Sequence, residues 1–242
     1  MAKVSVIIPA AGAGRRFGAK GNKIFQRMGS QPLFIRTLEL FSTRDDVVQI
    51  LLAVSPGELD QLKDRFGGNL GLMGVKVVAG GATRSESVRN ALEQVTDEAE
   101  LVCVHDAVRP CVSQLWIDAV FAEAQKTRAA ILACPVHDTL KEVSAAGVID
   151  KTVPRERLWE AQTPQVFGRE LLQRAYAGDI SEATDDAQLI EQLGHPVSVV
   201  AGDRRNVKIT TPADMAFAAA VIKTLPKPKL KGPSHPFAEA QW

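Results

Sequence analysis

The sequence predicts a doubly wound α/β domain with a mostly parallel sheet, and three observations carry that prediction. Apolar runs of strand length alternate with segments of helical period. Those runs are continuous rather than alternating in polarity, as strands buried on both faces must be. A glycine-rich turn follows the first of them directly, where such folds place a ligand.

The elements follow in chain order. Strand-length runs occupy residues 4–8, 47–54, 75–78, 101–105 and 130–134, and helical periods fall at 32–41, 58–66, 85–95 and 114–126. Between Pro135 and Trp159 the alternation stops. Residues 139–143 and 148–153 read as two strands joined around Ala146 and Gly147, a protruding β-hairpin arm over 136–158. Such an arm either folds back over the site or reaches a neighbouring subunit. Helices are expected at 170–176 and 185–193, strands at 197–201 and 207–209, and a last helix at 212–225. One domain thus spans 1–225. The remaining 17 residues hold four prolines and three lysines, too little apolar material for a core, so 226–242 reads as a mobile tail.

Charge and cysteine content narrow the function. Over 242 residues, 29 Lys and Arg face 28 Asp and Glu, a net charge of +1 that disfavours binding to a nucleic-acid backbone. Small anionic ligands need only a few local cations. Cys103, Cys111 and Cys134 are odd in number and lack CxxC spacing, which argues against a disulfide framework or a zinc site and favours the cytoplasm. No apolar run approaches the roughly 20 residues of a membrane span, and the N-terminal run is too short for a signal peptide.

The opening turn, Pro9-Ala10-Ala11-Gly12-Ala13-Gly14-Arg15-Arg16-Phe17-Gly18, lets backbone N–H groups approach an anion. A dinucleotide fingerprint requires glycine where Phe17 stands, and an acid after the second strand where the chain reads Val54-Ser55. No register supplies the Gly-Lys-Ser/Thr of a P-loop either. Instead Arg15, Arg16, Lys20 and Lys23 crowd one phosphate-sized turn. A second glycine pair, Gly80-Gly81, precedes Ala82, Thr83, Arg84, Ser85 and Ser87, a helix opening that either caps itself or holds part of a nucleotide. His105-Asp106-Ala107-Val108-Arg109 ends the next strand. Asp106 there suits Mg²⁺ or a hydroxyl and Arg109 a phosphate, unless the two simply pair. His105 reads as a structural hydrogen bonder, because no second histidine lies at metal spacing. Lys208 lies between Val207 and Ile209, facing away from the core if those two face it.

Together PAAGAGRRF, Asn22-Lys23, GGATRSESV, VHDAVRPC, HDTLK, QTPQVF and NVKIT followed by TPAD, spread from Val4 to Asp214, resemble the 2-C-methyl-D-erythritol 4-phosphate cytidylyltransferase family. The resemblance implies a Rossmann-like nucleotidyltransferase fold and transfer of CMP from CTP to that polyol phosphate with Mg²⁺. It implies that Arg16 and Lys23 stabilise charge on the α-phosphate, and that Arg155 and Lys208 position the acceptor. Pro9, Ala10, Ala11, Gly12, Gly14, Gly81, Ala82, Ser87 and Ala107 would contact the nucleotide. Asp106, Arg109 and Thr139 would border the acceptor, with Asp106 a candidate metal ligand. In the family the arm is exchanged within a homodimer, so Arg155 would serve the partner's site. Asn22, Ile24 and Ala82 depart from the commoner family pattern, Ala82 standing where some members have an Asp against the nucleotide.

The chemistry suits these residue types. A phosphate monoester, with a second pKa of about 6, is already a nucleophile at neutral pH, so charge stabilisation matters more than a general base. None of the four histidines, at 105, 137, 195 and 235, belongs to a catalytic constellation in the sequence. The same cations would serve another polyol phosphate such as ribitol 5-phosphate, or a nucleotide-binding module without catalysis.

Overall fold

The computed structural model describes residues 2–12 and 23–228. Strand β1 (Val4–Pro9) opens the chain. After a 3-10 turn at Lys23–Phe25, the two-residue strands β2 (Arg27–Met28) and β3 (Gln31–Pro32) form a small hairpin that enters α1 (Leu33–Ser42). Then come β4 (Val47–Val54), α2 (Leu59–Leu72), β5 (Val75–Ala79), α3 (Arg84–Leu92), β6 (Leu101–Val104), α4 (Gln114–Thr127) and β7 (Ala129–Pro135). The arm is β8 (Leu140–Val143) and β9 (Ile149–Val153). Strand β10 (Trp159–Gly168), α5 (Arg169–Tyr176), α6 (Asp186–Gln192), β11 (Ser198–Ala201) and α7 (Pro212–Val221) complete the fold.

The main sheet has seven strands in the order β11-β7-β10-β6-β1-β4-β5. All pairings are parallel except those of β10, which runs antiparallel between β6 and β7. Alternate side chains of β1 feed opposite cores. Val6 and Ile8 pack beneath α1, α2 and α4, while Ile7 packs with α3, α5 and α6. This two-sided burial is why the strands read as unbroken apolar runs. From β1 the chain first builds outward through β4 and β5, then returns to place β6 on the other side. That reversal opens a crevice at the carboxyl ends of β1, β5 and β6.

Three departures from the expected elements appear here. Strand β10 escaped the periodicity, because Glu160, Gln162, Thr163 and Gln165 break its apolar run and Pro164 interrupts it. The 207–209 segment is an irregular loop rather than a strand, held to the body by Ile209 N donating to Val108 O at 2.9 Å. The last helix also stops short of Leu225, tightening to a 3-10 turn at Ile222–Thr224. The arm forms its own two-stranded sheet, with Gly147 taking the left-handed turn conformation (φ +78°). All three cysteines are buried and unpaired. Among the described residues, no helix is long and apolar enough to cross a membrane. Positions 229–242 of the proposed tail lie outside the described residues.

Candidate active site

Backbone hydrogen bonds carry three loops past the sheet edge. Ala10 N donates to Ala53 O and Gly80 N to Val54 O, both at 2.7 Å, and His105 N donates to Ile7 O at 3.0 Å. The loops approach too closely for side chains at the glycine pair. A Cβ on Gly80 would lie 2.8 Å from Ala11 Cβ, and one on Gly81 would lie 2.3 Å from Glu86 Cβ. At Gly12 a Cβ would meet nothing within 4 Å, so packing does not demand that glycine.

Helix α3 starts with a capping box. Glu86 N donates to Thr83 Oγ1 at 3.1 Å, and Glu86 Oε2 accepts from Thr83 N at 3.0 Å. Ser87 Oγ accepts from Gly81 N at 3.0 Å and donates to Thr83 O at 2.8 Å. Self-capping and loop shaping thus account for these hydroxyls. Arg84 is left to reach inward.

What Arg84 reaches is Asp106, buried at the base of the crevice. Its Oδ1 lies 3.1 Å from Arg84 Nε, and its Oδ2 lies 2.9 Å from Lys208 Nζ and 3.4 Å from Arg109 Nε. Burial penalises this charge, yet Arg84, Lys208 and Arg109 together outweigh it and hold the carboxyl far below the usual carboxylate range. Arg84 in turn makes a two-pronged pair with the fully buried Asp186, at 3.2 and 2.8 Å. Asp186 also accepts from Tyr176 Oη. Its backbone N donates to Gln165 Oε1 at 3.1 Å.

Behind Asp106 stands a neutral histidine. Asp106 N donates to Thr163 Oγ1 at 3.1 Å, and the Thr163 hydroxyl donates to His105 Nδ1 at 3.1 Å. His105 Nε2 donates to Arg109 O at 2.9 Å, which fixes the tautomer because a carbonyl only accepts. Burial lowers the pKa of this imidazole from 6.5 to about 4. Between those values the unfolded chain binds the proton and the folded one does not. Stability from neutral His105 is therefore complete above about pH 6.5 and fades by ~3 kcal/mol toward pH 4. Denaturant unfolding across this range should show the slope in the wild type and lose it in His105→Asn; equal slopes would refute the assignment.

One pocket collects most of the predicted residues: Pro9, Ala10, Ala11, Gly12, Lys23, Gly81, Ala82, Ser87, Asp106, Ala107 and Lys208. Lys23 Nζ donates to Ile209 O at 3.2 Å, on the same loop that carries Lys208. Arg109 lies beneath the pocket, joined to Asp106 and donating to Asn206 O at 2.7 Å. Thr139 and Arg155 do not line it. Both are exposed at the arm, where Arg155 donates to His137 O. Arg16 and Gly14 lie outside the described residues. Sequence reasoning missed Thr163, Gln165, Tyr176, Asp186 and Asn206, all buried polar residues that only their partners explain. The one signal was the polar run Gln162-Thr163-Pro164-Gln165 inside QTPQVF.

Known proteins decide what this geometry belongs to. Residues 4–224 match the family model described as 2-C-methyl-D-erythritol 4-phosphate cytidylyltransferase. The chain belongs to this family. A relative of that name from Rhodopirellula baltica is 44% identical over 233 residues, covering 91% of this chain and 95% of the relative. The cytidylyltransferase of Thermus thermophilus is 37% identical with TM-score 0.76, covering 91% of this chain and 99% of that structure. The 4-diphosphocytidyl-2C-methyl-D-erythritol synthase of Anaerococcus prevotii is 30% identical with TM-score 0.77, over 92% and 99% of the two chains. In this cytidylyltransferase chain the antiparallel β10 places its Thr163 directly behind Asp106.

Proposed function

We infer that the residues gathered around Asp106 carry out the family's reaction in this protein. It transfers CMP from CTP to 2-C-methyl-D-erythritol 4-phosphate, releasing pyrophosphate and giving 4-diphosphocytidyl-2-C-methyl-D-erythritol, a step of the non-mevalonate isoprenoid pathway. The observation that carries this reading is the convergence of Lys23 and Lys208, 185 positions apart, on one pocket at the opening glycine loop.

The acceptor's phosphate attacks the α-phosphorus of CTP in line, and the obstacle is repulsion between two anions. Lys23, with Arg16, lowers the charge developing on the α-phosphate, while backbone N–H groups after β1 receive the nucleotide phosphates. Lys208 and Arg109 hold the acceptor phosphate, and Asp106 fixes both cations beforehand. His105 takes no proton, since it is buried and both its nitrogens are engaged. Asp106 is the carboxylate among the described pocket residues, but both its oxygens already face Arg84, Lys208 and Arg109, so Mg²⁺ would be held mainly by phosphate oxygens and water. Such an ion would neutralise phosphate charge when bound.

The arm completes the arrangement as a homodimer contact. A free two-stranded hairpin is marginal in water, and this one leaves Val143, Val148 and Ile149 exposed at 50%, 63% and 57%. A second subunit covering these residues would bring Arg155 and Thr139 to its own pocket. Buried thiols throughout and no membrane-spanning helix among the described residues favour the cytoplasm.

Pyrophosphate release with CTP and a panel of acceptors tests the assignment. Turnover is expected with 2-C-methyl-D-erythritol 4-phosphate and to be slower with ribitol 5-phosphate. Faster turnover with ribitol 5-phosphate would reassign the acceptor, and CTP binding without pyrophosphate release from any acceptor would make the protein a binding module.

A further inference from the structure

We propose that Asn206 is a positioning residue whose side-chain amide clasps the Lys208 loop to β10 and thereby sets where Lys208 and Arg109 meet the acceptor phosphate. The inference rests on the reading of those two cations given above. Residues 206–209 pair with no strand, so something other than a ladder must fix them. The Asn206 side chain is buried, and its Nδ2 donates to Thr163 O at 2.9 Å and to Gln162 Oε1 at 3.1 Å, both on β10. The backbone carbonyl of the same residue receives Arg109 at 2.7 Å. Thr163, held on one side by this amide, receives Asp106 N through its hydroxyl. One side chain therefore joins the loop of Lys208, the strand behind Asp106 and the guanidinium of Arg109.

The chemistry of the amide makes the clasp specific. Asn206 Oδ1 is buried without a hydrogen-bond partner, so the side chain is held through its two N–H groups alone. Flipping the amide would set oxygen against two oxygens, which fixes its orientation. Alanine would leave Thr163 O and Gln162 Oε1 without this donor, and aspartate would add a charge against them. Either change frees a loop whose Ile209 carbonyl also receives Lys23. Misplacing a binding group by about 1 Å costs on the order of 100-fold in rate.

The test is a double-mutant cycle on the full-length protein, with steady-state kinetics for both substrates. Asn206→Ala alone should lower kcat/KM for 2-C-methyl-D-erythritol 4-phosphate by about 100-fold and leave the KM for CTP unchanged. Added to Lys208→Ala, it should cost clearly less than it does alone, because one of the two cations it positions is already gone. Should Asn206→Ala fail to fold, Asn206→Ser, which keeps one donor, enters the same cycle with a smaller expected loss. Equal losses in both backgrounds, or matching rises in the KM of both substrates, would overturn the proposal. Full activity of Lys208→Ala would refute the reading of the pocket itself, and the proposal with it. An impaired Lys208→Ala with independent losses refutes Asn206 alone.

Discussion

Alanine in place of Lys23 is expected to lower kcat about 100-fold, the usual cost of removing one preorganised charge stabiliser. The melting temperature should barely move. Lys23 is half-buried, and its bond to Ile209 O is an ordinary side-chain to backbone contact worth about 1 kcal/mol. The turn it opens is anchored by its neighbours instead. Ile24 is buried in the core, and Phe25 meets Phe34 edge-on at 5.8 Å and stacks on Phe66 at 6.0 Å. Near-normal turnover in a folded Lys23→Ala protein would remove Lys23 from the mechanism. The same variant tests the arm. If Arg155 serves the partner's pocket, a dimer of one Lys23→Ala and one Arg155→Ala subunit has one site with both residues intact. Mixing two nearly inactive proteins should then restore activity, and no recovery after subunit exchange would refute the shared site.

The second large effect is expected at Asp106, where Asp106→Asn should lose activity and stability together. The carboxylate sits against Arg84, Lys208 and Arg109, and the substitution leaves the last two without it. Breaking a buried pair costs 3–5 kcal/mol, and the partial exposure of Lys208 points to the lower end, ~3 kcal/mol. For a chain of this size that is a fall in melting temperature of roughly 10 °C. The sign of its pH dependence is the same as that of His105, and only the window lies lower. With its carboxyl held far below the ordinary 3.8, the contribution of Asp106 is complete above that value and lost as pH falls further below it. The wild type should destabilise more steeply below pH 4 than Asp106→Asn. An unchanged melting temperature would mean that solvent, rather than Asp106, balances these cations.

Legibility in the sequence followed the physics of each element. Strands β1, β4, β6 and β7 were readable because burial on both faces forces a continuous apolar run. Strand β10 is equally central but was not readable. Its Gln162, Thr163 and Gln165 are buried for hydrogen bonds to Asn206, Asp106 and Asp186, partners 44, 57 and 21 residues away. Lys208 showed the reverse error, an assumed strand where a side-chain clasp holds an irregular loop.

The sequence by itself determined the doubly wound α/β class, the glycine loop at the end of β1, the interrupting hairpin and the family. Each is written in local order, as a run, a turn or a spacing. Only the tertiary structure decided that Arg84 is committed to Asp186 and Asp106, that His105 is neutral, and that Asn206 joins β10 to the Lys208 loop. A charge or an amide carries no mark of its partner along the chain. Burial makes the partner obligatory, and burial is settled when distant segments pack.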